Sequence, residues 1–477
     1  MGEGSASSDS TTIGRQKTFV EEKNQAHALK TTLSADRAGF NPHDEPPNSP
    51  RLSVPHDMFQ RRTSLDLDDY FVGPRDMSRH SKWPMFLRMH GSIMPKMIVP
   101  LVLVGAWASL ITVVSMKVHH LGVDSVLLTI TGFTISLGLS FRSSTAYERY
   151  AEGRRYWALL STSSQALGRV FWIHATDVPG QDTRELMLRK ITAMNLIVAY
   201  AHSIKHALRF EPYSGYADMS HLVSHLNFIA DEATKAHPEK VAPPPRKNFF
   251  KETGEYLGVT FATSNPRKAI KKTDLPLGNV PLEILNYIAV TVDEMIRNDQ
   301  LAIPMLQTLA YNNLSFLNDV LTGCQRVLNT PLPLAYSIAI TQITWVYVML
   351  LPFQLIPLLD WIAIPASVVA AYIILGLLLI GEEIENPFGH DVNDLPLDKY
   401  CEEIAQDMDT IASHDKRDPL AFMDHEKNKP LYPASTASLS VWMHRDEEKL
   451  RQAIKSKHAK VFELHKTEMA KNGEDMV

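Results

Sequence analysis

The chain has 477 residues, 48 basic and 53 acidic side chains, and a net charge of −5 at neutral pH. With 45% hydrophobic residues, its overall composition is that of an ordinary soluble protein. The sequence carries no nucleophile–base set, glycine-rich phosphate loop or zinc motif. Its cysteines, Cys324 and Cys401, provide neither a disulfide framework nor zinc spacing. We therefore predict that the protein is not an enzyme.

The amino-terminal region differs from the rest of the chain. Residues 1–65 are rich in Ser, Thr, Pro, Asp and Glu and poor in aromatics, which predicts a disordered tail. Residues 66–93 follow as an entry segment, in which Trp83 and Arg88 are typical of a membrane interface. This segment is expected to lead directly into the first membrane helix.

Four long runs lack charged residues, at 98–116, 125–141, 327–359 and 361–381. A membrane-spanning helix needs about 20 predominantly apolar residues. The runs therefore predict four membrane helices, two within 94–141 and two within 329–381. The second pair is separated only by Asp360, which indicates a hairpin that turns near this residue.

The distribution of basic residues predicts the topology. Lys and Arg are dense before the first run and after the second, and sparse in the connection 117–124. The positive-inside rule then places the amino terminus in the cytoplasm and this connection outside. With four spans, both termini are cytoplasmic. We expect a multi-pass protein of the plasma membrane.

The second run carries two stripes of different chemistry. Phe133, Leu137 and Phe141 recur every four residues, which places them on one helical face. One residue earlier, small residues recur with the same spacing, a pattern that lets membrane helices approach closely: Gly132, Ser136 and Ser140. Apolar residues at this spacing are most often lipid-facing or packed, so periodicity alone assigns them no function.

Residues 142–328 read as a cytosolic helical domain. Within it, the Pro- and Lys-rich stretch 236–280 is predicted to be a mobile insertion, and Pro304 to interrupt or kink the helix that follows. His202 and His206 are four residues apart, as in a helical metal pair. Because no nearby Glu or Cys completes the set, we do not expect a metal there.

The carboxy-terminal part is soluble in character. Residues 382–430 form a cytosolic segment after the fourth membrane helix, and 431–477 form a helix and tail. Within the latter, 438–468 has the pattern of a charged amphipathic helix. We expect it to dock on the outside of an assembly.

Three stretches carry a family resemblance. The first follows the second run and contains these groups: Phe141-Arg142, Ala146-Tyr147-Glu148-Arg149, Gly153-Arg154 and Tyr156-Trp157. The others are GCQRVLNTPLPLAYSIAITQ at 323–342 and EIENPFGHDVNDLPL at 383–397. In this order they closely resemble the bestrophins of the fungal and bacterial type over roughly residues 80–410.

The resemblance implies an all-α membrane protein with four transmembrane helices and a cytosolic helical bundle, assembled as a homopentamer around one pore. Carried over by the Phe-Arg anchor, the pore neck would be three stacked rings of Phe133, Leu137 and Phe141. A second, cytosolic constriction would lie near Ile303, Met305 and Leu306.

Arg142, repeated five times in such a pentamer, would raise the local anion concentration at the inner mouth. An equally weighted alternative is an ion pair between subunits, with Glu148 or Glu152 as the partner. The family pattern and the dense arginine around it do not point to nucleic acid, because basic residues just inside a membrane helix are first a topology signal.

Calcium is where the sequence departs from the animal bestrophins, which hold Ca²⁺ with an acidic run after Asn-Pro-Phe-Gly. Here the run contains only Asp391 and Asp394, interrupted by His and Val, with further acids nearby: Glu382, Glu383 and Glu385. Ca²⁺ prefers 6–8 oxygens, with several carboxylates for high affinity. We therefore expect a degraded calcium clasp and no cofactor.

The resemblance predicts a gated anion channel that conducts chloride or other small anions passively and has itself and the lipid bilayer as partners. Two alternatives stay open at the level of sequence. One is a membrane scaffold or receptor whose cytosolic helices bind a partner. The other is a cation-conducting homologue, because the family includes both kinds of conductor.

Overall fold

A computed structural model describes residues 91–122, 125–178, 180–237, 275–391, 393–413 and 419–474, and every regular element in these ranges is helical. The predictions for the tail 1–65, for the entry segment up to residue 90 and for most of the insertion 236–280 lie outside the described residues. The principal helices are α1 Met94–Lys117, α2 Ser125–Arg169, α3 Thr183–Leu208, α4 Ser220–Val223, α5 Asp231–Ala236, α6 Val280–Arg297 and α7 Pro304–Asn329. They continue with α8 Leu334–Leu359, α9 Ala363–Glu383, α10 Leu397–Ala412, α11 Pro419–Met423, α12 Leu439–Met443 and α13 Glu447–Glu474.

Two stretches of the described chain are long and apolar enough to cross a membrane, Met94–Lys117 and Leu334–Glu383. The second has 50 residues and consists of α8 and α9, joined by the 3₁₀ turn Asp360–Ile362. The hairpin at Asp360 thus lies where the sequence predicts it. Polar side chains in α1 and α9 turn inward and bond to their own helix, as Thr112 does to the carbonyl of Ala108 and Ser367 to that of Ala363.

Helix α2 links the apolar and the polar parts of the molecule. It has 45 residues, which at 1.5 Å per residue gives roughly 68 Å. Its first part packs on α8 and α9 and its later part on α7 and α10. The helix contains no proline between Ser125 and Arg169, so the apolar run continues without a break into the arginine-rich segment.

The largest buried cluster lies in the polar part. Helix α3 supplies much of it: Ala193, Met194, Leu196, Ile197, Tyr200, Ile204 and Leu208 are all buried. Trp157 of α2 and Phe388, which follows α9, belong to the same cluster. Helix α3 is thus buried within the polar part in spite of the charged residues that it carries. A smaller cluster joins α1, α2, α8 and α9.

Pro304 interrupts the helical stretch, as predicted, and begins α7, because the missing proline N–H is tolerated in the first helical turn. Two other elements differ from the sequence prediction. The predicted carboxy-terminal helix is divided into α12 and α13 by residues 444–446. The region from Arg209 to Met219, predicted to be helical, is a loop that follows the end of α3.

Candidate functional site

The apolar residues of α2 divide between two faces. Ile135 and Leu139 are buried and pack in the cluster that α2 shares with α1, α8 and α9. By contrast, Phe133 is 73% exposed, Leu137 47% and Phe141 59%. Packing within the chain therefore does not explain these three residues. They belong to a surface that faces lipid, water or another molecule.

This exposed face also carries hydroxyl groups. Thr134, Ser136, Ser140 and Ser144 are exposed around the three large residues. The exposed positions of α1 between Ile98 and Met116 are instead all apolar. Polar residues on membrane helices face the interior of a bundle or a water-filled cavity. The face of α2 thus differs in chemistry from a lipid-facing surface. We call it the α2 face: Phe133, Thr134, Ser136, Leu137, Ser140, Phe141 and Ser144.

The small-residue stripe does not act as a unit. Gly132 lies against α8, where an ideal Cβ atom would be 2.9 Å from Tyr347 Oη. Ser136 and Ser140 are exposed. A four-residue step advances an α-helix by about 400°, so the stripe drifts by about 40° per step and reaches a different surface. Gly132 therefore serves packing within the chain, and the two serines belong to the α2 face.

Arg142 lies off the α2 face. Its side chain is 5% exposed, and its Nη2 is 3.9 Å from Glu385 Oε2. Its Nη1 donates a long hydrogen bond of 3.5 Å to Thr341 Oγ1, and its Nε has no hydrogen-bond partner. The structure places this charge inside the chain, against α8 and the segment after α9. Its predicted role in attracting anions stays a prediction about conduction.

Within the chain, neither of the two acids suggested as partners of Arg142 is next to it, and a pair between subunits stays a prediction. Glu152 pairs with Arg326 of α7, and Glu148 is exposed. The partner that sequence spacing did not indicate is Glu385, 243 positions further along the chain. Only the packing of α2 against α9 brings the two together.

Arg149 lies seven residues after Arg142 on α2 and also contacts the segment after α9. Its guanidinium donates to the carbonyl of Val327 at 2.7 Å and also to that of Thr330, at the end of α7. Its Nε donates to the carbonyl of Glu385 at 3.1 Å. Cations stabilise helix carboxy termini by satisfying their unpaired carbonyls. Arg149 thereby ties α2 to both α7 and the segment after α9.

The residues suggested for a second constriction lie where α7 begins. Ile303 precedes the helix and Met305 is in its first turn, and both are exposed. Leu306 packs partly against the largest buried cluster. The structure thus offers two exposed apolar side chains here, and their role as a constriction stays a prediction.

The two candidate calcium ligands lie on the turn after α9. The Oδ2 of Asp394 accepts a hydrogen bond of 2.7 Å from the backbone N–H of Asp391. Burial raises the pKa of Asp394 to about 7, so this carboxyl group is only partly ionised at neutral pH. The ammonium of Lys96 pairs with Glu383 and is 3.9 Å from Asp391. A lysine therefore neutralises acids that a cation would require.

His202 and His206 do not form an open pair. The Nδ1 of His202 and the Nε2 of His206 both meet the carboxylate of Asp218, at 3.0 Å and 2.9 Å. The ammonium of Lys205 also pairs with Asp218. In the described ranges, no group of three or more His, Cys, Asp or Glu is arranged to hold a metal ion.

Comparisons with known proteins agree with one another. Residues 74–410 match the family model described as Bacterial/Fungal Bestrophin protein. A voltage-dependent anion channel-forming protein of Nostoc sp. is 31% identical over 285 residues, 60% of this chain and 76% of the relative. A protein of the same description from Synechocystis sp. is 28% identical over 327 residues, 69% of this chain and 90% of the relative.

The fold has relatives among solved structures. A crystal structure of a bacterial bestrophin homologue from Klebsiella pneumoniae, carrying one substitution, matches with a TM-score of 0.51 and 23% identity. The match covers 68% of this chain and 100% of that structure. At this identity the likeness concerns the fold.

Proposed function

This chain belongs to the family of bacterial and fungal bestrophins, and on that premise we propose that it forms an anion channel in a membrane. The curated relatives carry names of anion channel-forming proteins. The observation that carries the proposal is the α2 face, which is exposed and mixes phenyl rings with hydroxyl groups. A conducting surface has to be reachable by ions and water, and the exposure of the α2 face on the chain supports this role.

The proposed assembly is a homopentamer with α2 innermost. Each subunit contributes four membrane spans: α1, the apolar part of α2, α8 and α9. With both termini in the cytoplasm, the long lower part of α2 and the helices packed on it form the cytosolic portion. Ser136 and Ser140 support close contact between neighbouring copies of α2, because small residues let membrane helices approach.

The neck of the proposed pore consists of rings of Phe133, Leu137 and Phe141. Apolar constrictions gate by dewetting, so a modest widening switches conduction on. Aromatic rings have positive edges and negative faces. Phenyl groups presented edge-on therefore tolerate chloride better than a cation of the same size.

Arg142 contributes less to selectivity than a solvent-facing ring of arginines would. Its buried guanidinium has Glu385 as a counter-charge at 3.9 Å. The field of such a pair falls off faster than that of a single charge. The preference for anions then rests mainly on the phenyl edges and on backbone and hydroxyl dipoles of α2.

The decisive experiment is reconstitution of the purified protein into liposomes and planar bilayers. We expect chloride currents whose reversal potential follows the chloride gradient. Replacement of chloride by a large organic anion should abolish them, whereas replacement of potassium by a large organic cation should not. Currents that follow the cation gradient would favour the cation-conducting alternative. A well-assembled protein without current would favour a scaffold.

A further inference from the structure

A second cluster of charged groups lies on α3, in the cytosolic part. The ring of His206 stands between two carboxylates: its Nδ1 is 2.6 Å from Glu211 Oε2, and its Nε2 is 2.9 Å from Asp218 Oδ1. The side chain is 9% exposed, and the ring stacks on Tyr216 with 4.1 Å between centroids. A neutral imidazole has one N–H, so only the imidazolium donates to both carboxylates.

The surroundings of His206 are charged on every side. From α3 itself come His202, Lys205 and Arg209; from the loop after α3 come Glu211, Tyr213, Tyr216 and Asp218; from α10 comes Asp398; and from the segment after α9 comes His390. Three carboxylates thus face two permanent cations and the histidines. With His206 protonated, Glu211, Asp218 and Asp398 balance Lys205, Arg209 and His206.

The cluster contacts the connection between α9 and α10 at two points. Asp398, in the first turn of α10, is 2.8 Å from Lys205 Nζ and 2.9 Å from Arg209 Nη1. Midway along the connection, His390 Nε2 is 3.6 Å from Glu211 Oε1. Glu211 therefore touches His206 with one oxygen and the connection with the other. A change at His206 is transmitted to the connection through a single side chain.

The backbone beside this contact is strained. Phe210 has φ = 60°, a left-handed conformation that is unusual for a bulky residue. Such a conformation persists only when the surrounding contacts hold it, and the next residue, Glu211, is held by His206. A cavity of about 240 Å³ borders His206, Phe210 and Glu211. It gives water and protons a route to the buried ring.

The direction of the response follows from the contacts. Burial lowers the pKa of His206, but hydrogen bonds with Asp218 and then Glu211 outweigh this and raise it above 6.5. The same contact lowers the pKa of Glu211 to about 2, against the effect of burial. A group whose folded-state pKa is raised stabilises the fold fully below its unfolded pKa. That contribution is lost as the pH rises through the folded-state pKa.

We propose that protonated His206, held between Glu211 and Asp218, anchors the α9–α10 connection to α3, and that loss of the proton releases this anchor. At neutral pH the imidazolium holds Glu211, and Glu211 holds the connection. When alkalinity of the cytosolic side removes the proton, a ring lone pair faces a carboxylate and the contact becomes repulsive. The loop at Phe210 then relaxes and the connection loosens. This inference rests on the cluster and does not depend on the proposed function.

Hydrogen exchange of the assembled protein in detergent tests whether this anchoring depends on protonation of His206. The readout is protection of residues 384–398 between pH 6 and pH 10, corrected for the intrinsic pH dependence of amide exchange. We expect protection to fall in a single step as the pH rises through the folded-state pKa of His206, because the imidazolium that holds Glu211 is then lost. His206→Gln should lack the step. His174→Gln, at an exposed histidine of the same domain, should retain it.

A second variant keeps the test sharp if His206→Gln assembles poorly. Glu211→Gln removes one of the two carboxylates that raise the pKa of His206, so the midpoint should move to lower pH. An unchanged midpoint in Glu211→Gln, or constant wild-type protection up to pH 10, would overturn the proposal.

Discussion

Two stripes of the molecule share the same periodicity and nearly the same exposure. On α2 the stripe is Phe133, Leu137 and Phe141; on α9 it is Val369, Ile373 and Leu377, and all six are exposed apolar residues at four-residue spacing. The residues between them differ. The α2 face carries Thr134, Ser136, Ser140 and Ser144, whereas the other exposed residues of α9 up to Ile380 are Pro365 and Tyr372.

The comparison shows that periodicity identifies an exposed helical face, whereas the residues beside the stripe indicate whether that face contacts lipid or water. Lipid offers the hydroxyl groups of Ser and Thr no partner. In α9 the hydroxyl of Ser367 is turned inward and bonded to the helix, and the exposed hydroxyl is that of Tyr372, a residue type typical of membrane interfaces. In α2 the hydroxyl of Thr134 also donates to its own helix, but Ser136, Ser140 and Ser144 are exposed. The α9 stripe is therefore the natural control for every experiment on the α2 face.

The largest effect is expected from a carboxylate placed on each face at similar depth. Thr134 lies eight residues before Arg142, and Ile373 lies nine before Glu382. An Asp within a lipid-facing span costs roughly 2–3 kcal/mol, so Ile373→Asp should reduce the yield of assembled protein about 100-fold. Thr134→Asp should assemble within a few-fold of wild type, because water solvates the carboxylate. Size-exclusion chromatography of tagged protein measures both yields.

Equal losses in the two variants would mean that the α2 face is in contact with lipid, and the contrast between the stripes would disappear. A reversed order would exchange the roles of the two helices. A third variant, Ser140→Asp, separates the effect of position along the helix from that of the surrounding medium, because Ser140 lies on the α2 face two residues before Arg142, at the end of the apolar run.

The next largest effect concerns the inward side of α2. Glu385→Gln removes the counter-charge of Arg142, whose side chain is 5% exposed. Breaking a buried pair from one side is expected to cost about 3 kcal/mol, because an uncompensated charge is left behind. The thermal midpoint of the assembled protein in detergent should fall. In Arg142→Gln/Glu385→Gln, part of the loss should be recovered, and its absence would show that the two charges do not interact.

A smaller effect, in conduction rather than stability, is expected from the stripes themselves. Replacing Phe133, Leu137 and Phe141 by Ala widens and wets the proposed neck, so current per assembled protein should rise about tenfold, equivalent to 1.4 kcal/mol. The control replaces Val369, Ile373 and Leu377 by Ala and should leave current unchanged. Macroscopic currents normalised to assembled protein measure both. Wild-type current and gating in the α2 variant would show that Phe133, Leu137 and Phe141 do not line the pore.

Much of the fold follows from the sequence because long runs without charged residues predict apolar helices directly. The hairpin at Asp360 and the interruption at Pro304 are local signals, and both lie where predicted. The direction of Arg142 is not such a local signal. Ser140 and Arg142 are each 100° from Phe141 around the helix, yet Ser140 is exposed and Arg142 is buried.

The rest depended on contacts that no local pattern encodes. Glu385 reaches Arg142 only through the packing of α9 on α2. Asp218 reaches His206 because the chain leaves α3 at Phe210 with positive φ and folds back along it. The two histidines at four-residue spacing were visible, but the carboxylates that give them a role came from a loop predicted to be helical.

The smallest effect tests whether α2 is held where the comparison requires it, against α8. An added methyl group at Gly132 would lie 2.9 Å from Tyr347 Oη and 3.3 Å from the adjacent ring carbon. The neighbour has to give way by a few tenths of an ångström, and overpacking of this kind costs about 1 kcal/mol. Gly132→Ala should therefore lower the thermal midpoint slightly. Tyr347→Phe removes the nearest atom, so Gly132→Ala/Tyr347→Phe should recover most of the loss.

Gly138→Ala is the matched control, because its added methyl group would meet only Ile340, at 3.7 Å. If Gly132→Ala is no less stable than Gly138→Ala, or if Tyr347→Phe brings no recovery, α2 does not pack against α8 at this position. The orientation that places Phe133 and its neighbours outside would then have to be redrawn.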